Sequence, residues 1–332
     1  MKKLLKIFLV TLFFLVICIS GALAYVRFSM PNVGPPAEIT IKADSETLRH
    51  GEYLVKNVMA CLVCHSTRDW TKFSAPVVPG TEGRGSDEFS RKNGLPGNFM
   101  PKNITPTHLG KWTDGEILRA VTAGVSKDGR PLFPIMPYGE YGQLDEADLK
   151  AAIAYLRTIP AKEDTVPPSE ADFPFSLILR TIPKRAAPAK RPDPSDAVSY
   201  GKYMTRAALC FECHTKIEKG TRPAEMAFAG GFEFALPDGS VVRSANITPD
   251  QETGIGNMTK EAFVRRFKAY DPATYKPHTV GSGDFNTVMP WTVFAGMTEQ
   301  DLGAIYEYVR TVRPVSQKIE RFTPASKAAA MK

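Results

Sequence analysis

The feature that most constrains this fold is an internal duplication. The stretch H-G-E-Y-L-V-K-N-V-M-A-C-L-V-C-H at 50–65 matches Y-G-K-Y-M-T-R-A-A-L-C-F-E-C-H at 200–214. Three shorter landmarks recur in the same order, with loops of different length between them. They are N-I-T-P at 103–106 and 246–249, I-M-P-Y at 135–138 with V-M-P-W at 288–291, and A-Y-L-R-T at 154–158 with E-Y-V-R-T at 307–311. An ordered repeat of this length indicates one structural unit used twice.

The hydrophobic pattern of each copy predicts mainly helical structure, so the predicted fold class is mainly α. One helix leads into each C-x-x-C-H motif, a second follows N-I-T-P, and a third ends at a proline. The Gly- and Pro-rich segments between the helices are predicted as loops. The start signals, each followed by an acidic residue at the capping offset, are Thr113 with Glu116, Asp145 with Asp148, and Thr298 with Asp301.

The landmarks also divide the chain. The linker carries seven prolines, but its stretch F-P-F-S-L-I-L-R at 173–180 is apolar enough to pack against one of the units. The predicted segments are a signal peptide or membrane anchor at 1–26, a first unit at 44–160, a Pro-rich linker at 161–194, a second unit at 195–315 and a flexible tail at 316–332.

The N-terminus has the features of an export element. M-K-K-L-L-K is a positive n-region, residues 7–26 carry no charge, and A-L-A at 22–24 is a small-x-small cleavage pattern. Twenty apolar residues are also long enough to span a bilayer, so cleavage and retention as an anchor both stay open. In either case we expect the lysines to stay inside and the rest of the chain to lie outside the cytoplasm.

The net charge of +7 does not indicate a nucleic-acid partner. Residues 44–160 hold 14 basic and 14 acidic residues, and residues 195–315 hold 13 and 14, so the excess lies at the two ends of the chain. Nucleic-acid binding requires a basic face on a folded domain, and neither unit has the composition for one.

Four of the five cysteines fall in the two C-x-x-C-H motifs, which leaves no pair for a structural disulfide. A zinc site needs two further ligands, normally from a nearby second pair, and a redox dithiol needs a βαβ context. Covalent attachment of haem c fits the pentapeptide directly, because each thiol takes one vinyl group and the histidine faces the iron. We therefore predict two haem c groups, attached through Cys61, Cys64, Cys210 and Cys213, with His65 and His214 as proximal iron ligands.

The repeat also predicts the ligand on the far side of each iron. The histidines outside the motifs do not occupy equivalent positions in the two copies, whereas Met136 and Met289 do. Each of these methionines precedes a proline, which restricts the loop that must hold the sulfur. Met100, also before a proline, is the alternative in the first unit, but it has no counterpart in the second.

Histidine–methionine ligation favours the ferrous state and fills all six positions of the iron. Such a site suits electron transfer. The alternatives are a dihaem peroxidase-type enzyme and a haem-based sensor, both of which need an iron with an open or labile sixth position.

Taken together, C-x-x-C-H, N-I-T-P, W-T-D-G-E-I-L-R-A-V-T-A-G-V-S-K-D-G-R-P-L-F-P-I-M-P-Y and D-x-x-A-x-x-A-Y-L-R-T-I-P resemble a known family. They look like the class I cytochrome c domains in the multihaem cytochrome subunits of bacterial membrane-bound alcohol and gluconate dehydrogenases. In that family the methionine before Pro-Tyr is the axial ligand, which carries over to Met136 and, through the repeat, to Met289. This chain departs from the family in having two haem motifs instead of three, and about ten additional residues, Y-D-P-A-T-Y-K-P-H-T at 270–279.

The resemblance implies two tandem class I cytochrome c-like domains and a periplasmic electron carrier that is not itself an enzyme. Its expected partners are redox proteins: a dehydrogenase or another cytochrome as donor, and a respiratory-chain acceptor such as a terminal oxidase. The inner membrane is a further partner if the N-terminal segment is retained.

Overall fold

The computed structural model describes residues 1–86, 89–163, 166–218, 220–281 and 283–329. Within these ranges the chain is mainly helical, which confirms the predicted fold class at that level. The α-helices are α1 Lys2–Ser29, α2 Ser45–Tyr53, α3 Cys61–Cys64, α4 Pro106–Leu109, α5 Asp114–Ala123, α6 Tyr138–Tyr141, α7 Glu146–Leu156, α8 Phe175–Ile178, α9 Ala197–Ala207, α10 Cys210–His214, α11 Lys260–Lys268, α12 Trp291–Phe294, α13 Glu299–Val309 and α14 Ala325–Ala329. The strands are β1 Gly97–Asn98, β2 Glu170–Ala171, β3 Glu233–Ala235, β4 Val241–Arg243 and β5 Phe322–Thr323.

The first helix, α1, is long and apolar enough to cross a membrane, and none of its residues is buried in the protein. Just past its C-terminal end the chain meets the linker, where the Arg180 guanidinium donates a hydrogen bond of 2.8 Å to the carbonyl of Met30. This hydrogen bond therefore attaches the chain to the linker segment 173–180 at the point where the exposed apolar helix ends.

The predicted helix starts are found in the structure. Thr113 and Glu116 form a capping box at α5, in which each side chain accepts a hydrogen bond from the other residue's backbone N–H. Asp145 caps α7 and Thr298 caps α13. Local signals in the sequence thus fix the main helices of both copies.

The two copies are called below the first repeat (44–160) and the second repeat (195–315). In each repeat the first long helix packs on the last one, α2 on α7 and α9 on α13. A glycine lies at each crossing. A Cβ atom on Gly51 would lie 2.0 Å from the carbonyl oxygen of Ala151, and one on Gly201 would lie 1.8 Å from that of Ala304. The two crossings therefore use the same contact between backbones, at equivalent positions of the repeat.

The two copies differ by one residue just before their motifs: eleven positions separate His50 from Cys61, and ten separate Tyr200 from Cys210. In the first repeat α2 continues as a π-helix at Leu54–Val58, whereas α9 stays α-helical to Ala207. A hydrogen bond of a π-helix joins residues five positions apart, whereas one of an α-helix joins residues four positions apart, so a π-turn accommodates one more residue. The additional residue is absorbed there, and both motifs follow their helices in the same way.

Two buried carboxylates join the repeats. Asp148 and Asp301 are each 4% exposed. The hydroxyl of Tyr203, in the second repeat, donates to Asp148 at 2.6 Å, and the hydroxyl of Tyr53, in the first repeat, donates to Asp301. Tyr53 and Tyr203 are equivalent in the duplication, so the exchange is reciprocal. Both carboxylates stand at the predicted capping offset, but one oxygen of each binds across the junction.

Each carboxylate also contacts a side chain of its own repeat. That side chain lies three positions before the tyrosine of the same repeat, Tyr53 or Tyr203. Tyr200 donates to Asp301 at 2.7 Å, and His50 lies 2.7 Å from Asp148. Arg191 of the linker adds a charged contact of 2.7 Å to Asp148. The linker therefore contributes to the junction between the repeats.

The linker and the tail carry more structure than the sequence predicts. Strand β2 of the linker pairs antiparallel with β1 of the first repeat, and the ring of Phe175 lies 5.9 Å from that of Phe133. The apolar stretch at 173–180 thus packs against the first repeat, as its composition indicates. In the segment predicted as a flexible tail, β5 pairs with β4, a strand in a region predicted as loop, and α14 follows. Residues 330–332 of that tail lie outside the described ranges.

We expect Gly201→Ala to lower the free energy of unfolding by about 3 kcal/mol, because the methyl group must push α9 away from the Ala304 carbonyl. Gly139→Ala is the matched control, since a Cβ there meets no atom within 4 Å. Urea unfolding followed by circular dichroism measures both. Equal stability of the two variants would show that the close crossing is not needed.

Candidate haem-binding sites

Each C-x-x-C-H motif forms a short helix that is entered through a sharp turn. The residue before each motif has left-handed backbone geometry, with a φ of 51° at Ala60 and 59° at Leu209. Such angles are uncommon outside glycine and persist where the surrounding structure enforces them. Their recurrence at equivalent positions shows that the two motifs are presented by the same backbone path.

The histidines of both motifs are held in one tautomer. His65 Nδ1 lies 2.7 Å from the carbonyl oxygen of Lys102, and His214 Nδ1 lies 2.8 Å from that of Ala245. A carbonyl only accepts, so Nδ1 carries the proton and Nε2 keeps a free lone pair. Burial lowers the pKa of both histidines, that of His214 to about 4. Each imidazole is therefore neutral and able to bind a metal through Nε2.

The N-I-T-P landmark positions those two carbonyls. The Asn246 carboxamide oxygen accepts from the backbone N–H and the hydroxyl of Thr248, at 2.9 and 2.7 Å. Its amide donates to the Thr253 hydroxyl and to the Val315 carbonyl. Asn103 makes the same pair of bonds to Thr105 in the first repeat. The sequence marked this motif as a repeat landmark but gave no role for it.

The two predicted methionine ligands lie in matching turns. Met136 accepts a backbone hydrogen bond of 2.8 Å from Tyr138, and Met289 accepts one of 2.9 Å from Trp291. Both methionines are partly buried, and both lie on the wall of one cavity together with the two motif histidines. Met100 lies on that wall as well, so the structure brings the predicted ligand and its competitor to the same space.

This cavity has a volume of about 2960 Å³ and runs through both repeats. A pocket for one ordinary ligand measures roughly 300–1,000 Å³, so there is room for more than one large group. All four motif thiols are free and lie on its wall. Burial raises the pKa of the Cys61, Cys210 and Cys213 thiols to about 12. The surface that these thiols expose faces the cavity. The residues fit two covalently attached haem groups.

Tyr141 lies close to thiols of both motifs, which the sequence did not reveal. Its buried hydroxyl donates to the carbonyl of Met59 at 2.9 Å. Burial, and then the thiols of Cys61, Cys64 and Cys213, raise its pKa well above the usual range. One phenol thus lies near motif thiols from both repeats. The repeat carries a signal at this position, because Phe294 is the equivalent residue and lacks the hydroxyl.

The described part of the chain offers no alternative metal site. Across residues 1–86, 89–163, 166–218, 220–281 and 283–329, no three His, Cys, Asp or Glu side chains come together as metal ligands. The two thiol pairs therefore do not converge on one tetrahedral ion, as a zinc site would require.

Several known proteins similar to this chain are cytochromes or cytochrome subunits. The cytochrome c subunit of a quinone-dependent alcohol dehydrogenase from Gluconobacter oxydans is 33% identical over 291 residues, 83% of this chain and 56% of that protein. The corresponding subunit from Gluconacetobacter polyoxogenes is 25% identical over 86% of this chain and 60% of its own length. A diheme cytochrome c-type protein of Cereibacter sphaeroides is 25% identical over 60% of this chain and 73% of its own length.

Cytochrome subunits of fructose and gluconate dehydrogenases match as well. No protein-family model matches the chain. The chain spans 60% of the length of the Gluconacetobacter polyoxogenes subunit. These matches confirm the resemblance to dehydrogenase cytochrome subunits and to a dihaem cytochrome c. The names of these relatives, cytochrome subunits of dehydrogenases, agree with the expectation of an electron-transfer protein.

Asn246→Ala tests the role of the N-I-T-P loop. Its buried partners would lose their hydrogen bonds, so we expect the free energy of unfolding to fall by at least about 2 kcal/mol. The Ala245 carbonyl would also hold His214 less firmly. Because that hydrogen bond makes the imidazole a stronger ligand, the reduction potential of the haem in the second repeat should rise.

Asn103→Ala is the reciprocal control and should raise the potential of the haem in the first repeat. A redox titration followed by visible absorption measures both variants. Loss of stability without any shift of potential would show that the motif supports only the fold.

Proposed function

We propose that this chain is a dihaem cytochrome c that passes single electrons between a donor and a respiratory-chain acceptor outside the cytoplasm. One observation carries the proposal. In each repeat, two free thiols, a neutral imidazole and a methionine lie on the wall of the same large cavity. This is the donor set that covalent haem c with two axial ligands requires.

The roles of the residues follow from their chemistry. Cys61 and Cys64 attach the haem of the first repeat, and His65 with Met136 bind its iron. Cys210, Cys213, His214 and Met289 do the same in the second repeat. The bound haem iron supplies a one-electron couple. The surrounding apolar core excludes water, and the thioether favours the reduced state, so the protein sets a raised potential without leaving a free coordination position.

The two repeats, at 44–160 and 195–315, are proposed to be tandem class I cytochrome c-like domains joined by the linker at 161–194. The matching helix crossings at Gly51 and Gly201 support this division, as do the matching turns at Met136 and Met289. A buried hydrophobic cluster with residues from both repeats holds them together.

The location and partners are proposed from the N-terminal helix and the relatives. An apolar, unburied α1 supports an export signal or an anchor at the outer face of the inner membrane, with the repeats in the periplasm as the proposed location. The names of the relatives support a dehydrogenase as electron donor. A terminal oxidase or another cytochrome is the proposed acceptor.

Single variants of the methionines test the ligand assignment. Met136→Ala and Met289→Ala should each remove half of the sulfur-to-iron absorption band of the oxidised protein, lower one of the two reduction potentials and allow carbon monoxide to bind one reduced haem. Met100→Ala is the matched control, because it lies on the same cavity wall and should change none of these. Redox titration of the purified protein, with its haem content measured by mass spectrometry, gives the answer.

A mass corresponding to fewer than two haems would contradict the dihaem assignment. A shift of the reduction potential in Met100→Ala, with no shift in Met136→Ala, would show that Met100 and not Met136 is the ligand of the first repeat. Peroxide turnover by the reduced native protein would favour the peroxidase-type enzyme over the carrier.

A further inference from the structure

The loop that follows the first haem-binding motif packs against the second repeat. We call residues 68–75 the bracing loop. Its Ser74 hydroxyl donates a hydrogen bond of 2.5 Å to the carbonyl of Met289 and accepts one of 3.1 Å from the backbone N–H of Trp291. A single side chain of the first repeat therefore closes the turn that carries the methionine of the second repeat.

Ser74 is itself held firmly. It is 1% exposed, and its backbone N–H donates to the carboxamide oxygen of Asn286 at 3.0 Å. The amide of Asn286 in turn donates to the carbonyls of Trp70 and Lys72, at 3.2 and 3.3 Å. Ser74 and Ala75 both have left-handed geometry, with φ of 66° and 39°. Each such residue costs about 1–3 kcal/mol and persists only where its surroundings hold it.

The additional residues of the second repeat, 270–279, pack against the bracing loop. Within 270–279, the carbonyl of His278 accepts from the backbone N–H of Phe73 at 2.9 Å, and the two rings stack with centroids 5.0 Å apart. Val280, just beyond, donates to the carbonyl of Thr71 at 2.8 Å. The stretch that sets this chain apart from the family that it resembles is thus the partner of the bracing loop.

The arrangement is not reciprocal. Met136 lies in a turn whose backbone bonds stay within the first repeat, to Phe133 and Tyr138. Among the described residues, the second repeat makes no hydrogen bond to residues 133–138. Phe133 is instead covered by aromatic rings of the first repeat and the linker, Phe99 and Phe175. Helix α6, after Met136, contacts the second repeat through the ion pair of Glu140 with Arg206, but among the described residues only the turn of Met289 is itself hydrogen-bonded by a side chain of the other repeat.

We propose that Ser74 is a positioning residue that holds Met289 on the iron of the second haem, so that the first repeat sets the potential of the second. The inference rests on the proposed function, because it takes Met289 as the axial ligand. An iron–thioether bond favours the ferrous state. A loop that lets the sulfur leave therefore lowers the reduction potential, and the bracing loop prevents this.

Ser74→Ala removes the hydroxyl. We expect a lower potential for the second haem, a smaller sulfur-to-iron band and at least a tenfold increase in the carbon monoxide bound by that haem after reduction. A tenfold greater loss of the sulfur bond from reduced than from oxidised iron corresponds to 59 mV for a one-electron couple. The two potentials are assigned beforehand from the shifts in Met136→Ala and Met289→Ala.

Two further variants separate the hydroxyl from other effects. Ser74→Gly also lacks the hydroxyl but tolerates the left-handed backbone, so it should fold at least as well and shift the same potential. Thr71→Ala is the matched control, because within the described residues the Thr71 hydroxyl of the same loop bonds to Asp69 alone. This variant should leave both potentials unchanged.

The outcomes distinguish this inference from the function on which it rests. If Met289→Ala leaves both potentials unchanged, the ligand assignment fails. If Met289→Ala lowers one potential while Ser74→Ala and Ser74→Gly do not, the ligand stands and the positioning role is overturned. A shift in Ser74→Ala alone would assign the effect to backbone strain and would also overturn it.

Discussion

The contact on which both repeats depend is that of a glycine backbone with a carbonyl oxygen of another helix. Gly51 and Gly201 let the first long helix of each repeat cross the last one without a side chain between them. Each crossing fixes the end of the helix that leads into the C-x-x-C-H motif, and hence where its thiols and histidine lie. The N-I-T-P loop then locks the imidazole tautomer through the carbonyls of Lys102 and Ala245. The position of each motif thus depends on one close approach of two backbones in its own repeat.

The duplication produced two similar sites that are not equal. A π-turn after Tyr53 absorbs one additional residue of the first repeat, so the motifs remain comparable. The surroundings of the methionines differ more. The turn of Met136 begins at Phe133, whose ring packs against Phe99 of its own repeat and Phe175 of the linker, whereas the turn of Met289 is hydrogen-bonded by Ser74 of the other repeat. Two haems bound by the same pair of ligands would therefore have different surroundings.

Much of the local structure could be predicted from the sequence, because it depends on neighbouring residues. The caps at Thr113 and Thr298 are examples. The repeat also indicated the thiols, histidines and methionines that the structure brings to one cavity, although their roles stay predictions. Contacts between distant residues left no local signal. Asp148 and Asp301 matched the capping offset, yet they bind tyrosines 55 and 248 positions away. The bracing loop has no periodicity, so only the structure reveals its partner.

The reciprocal tyrosine–carboxylate contacts have a consequence for how electrons would move within the molecule. Each carboxylate is buried and accepts a hydrogen bond from a tyrosine of the other repeat, so separating the repeats would break both bonds and expose the shared hydrophobic cluster to water. The repeats therefore do not swing as two independent bodies on a tether. Motif thiols of both repeats lie near the same phenol, Tyr141, so electron passage between haems attached there would need no diffusive step, and its rate would not change when the solvent is made more viscous.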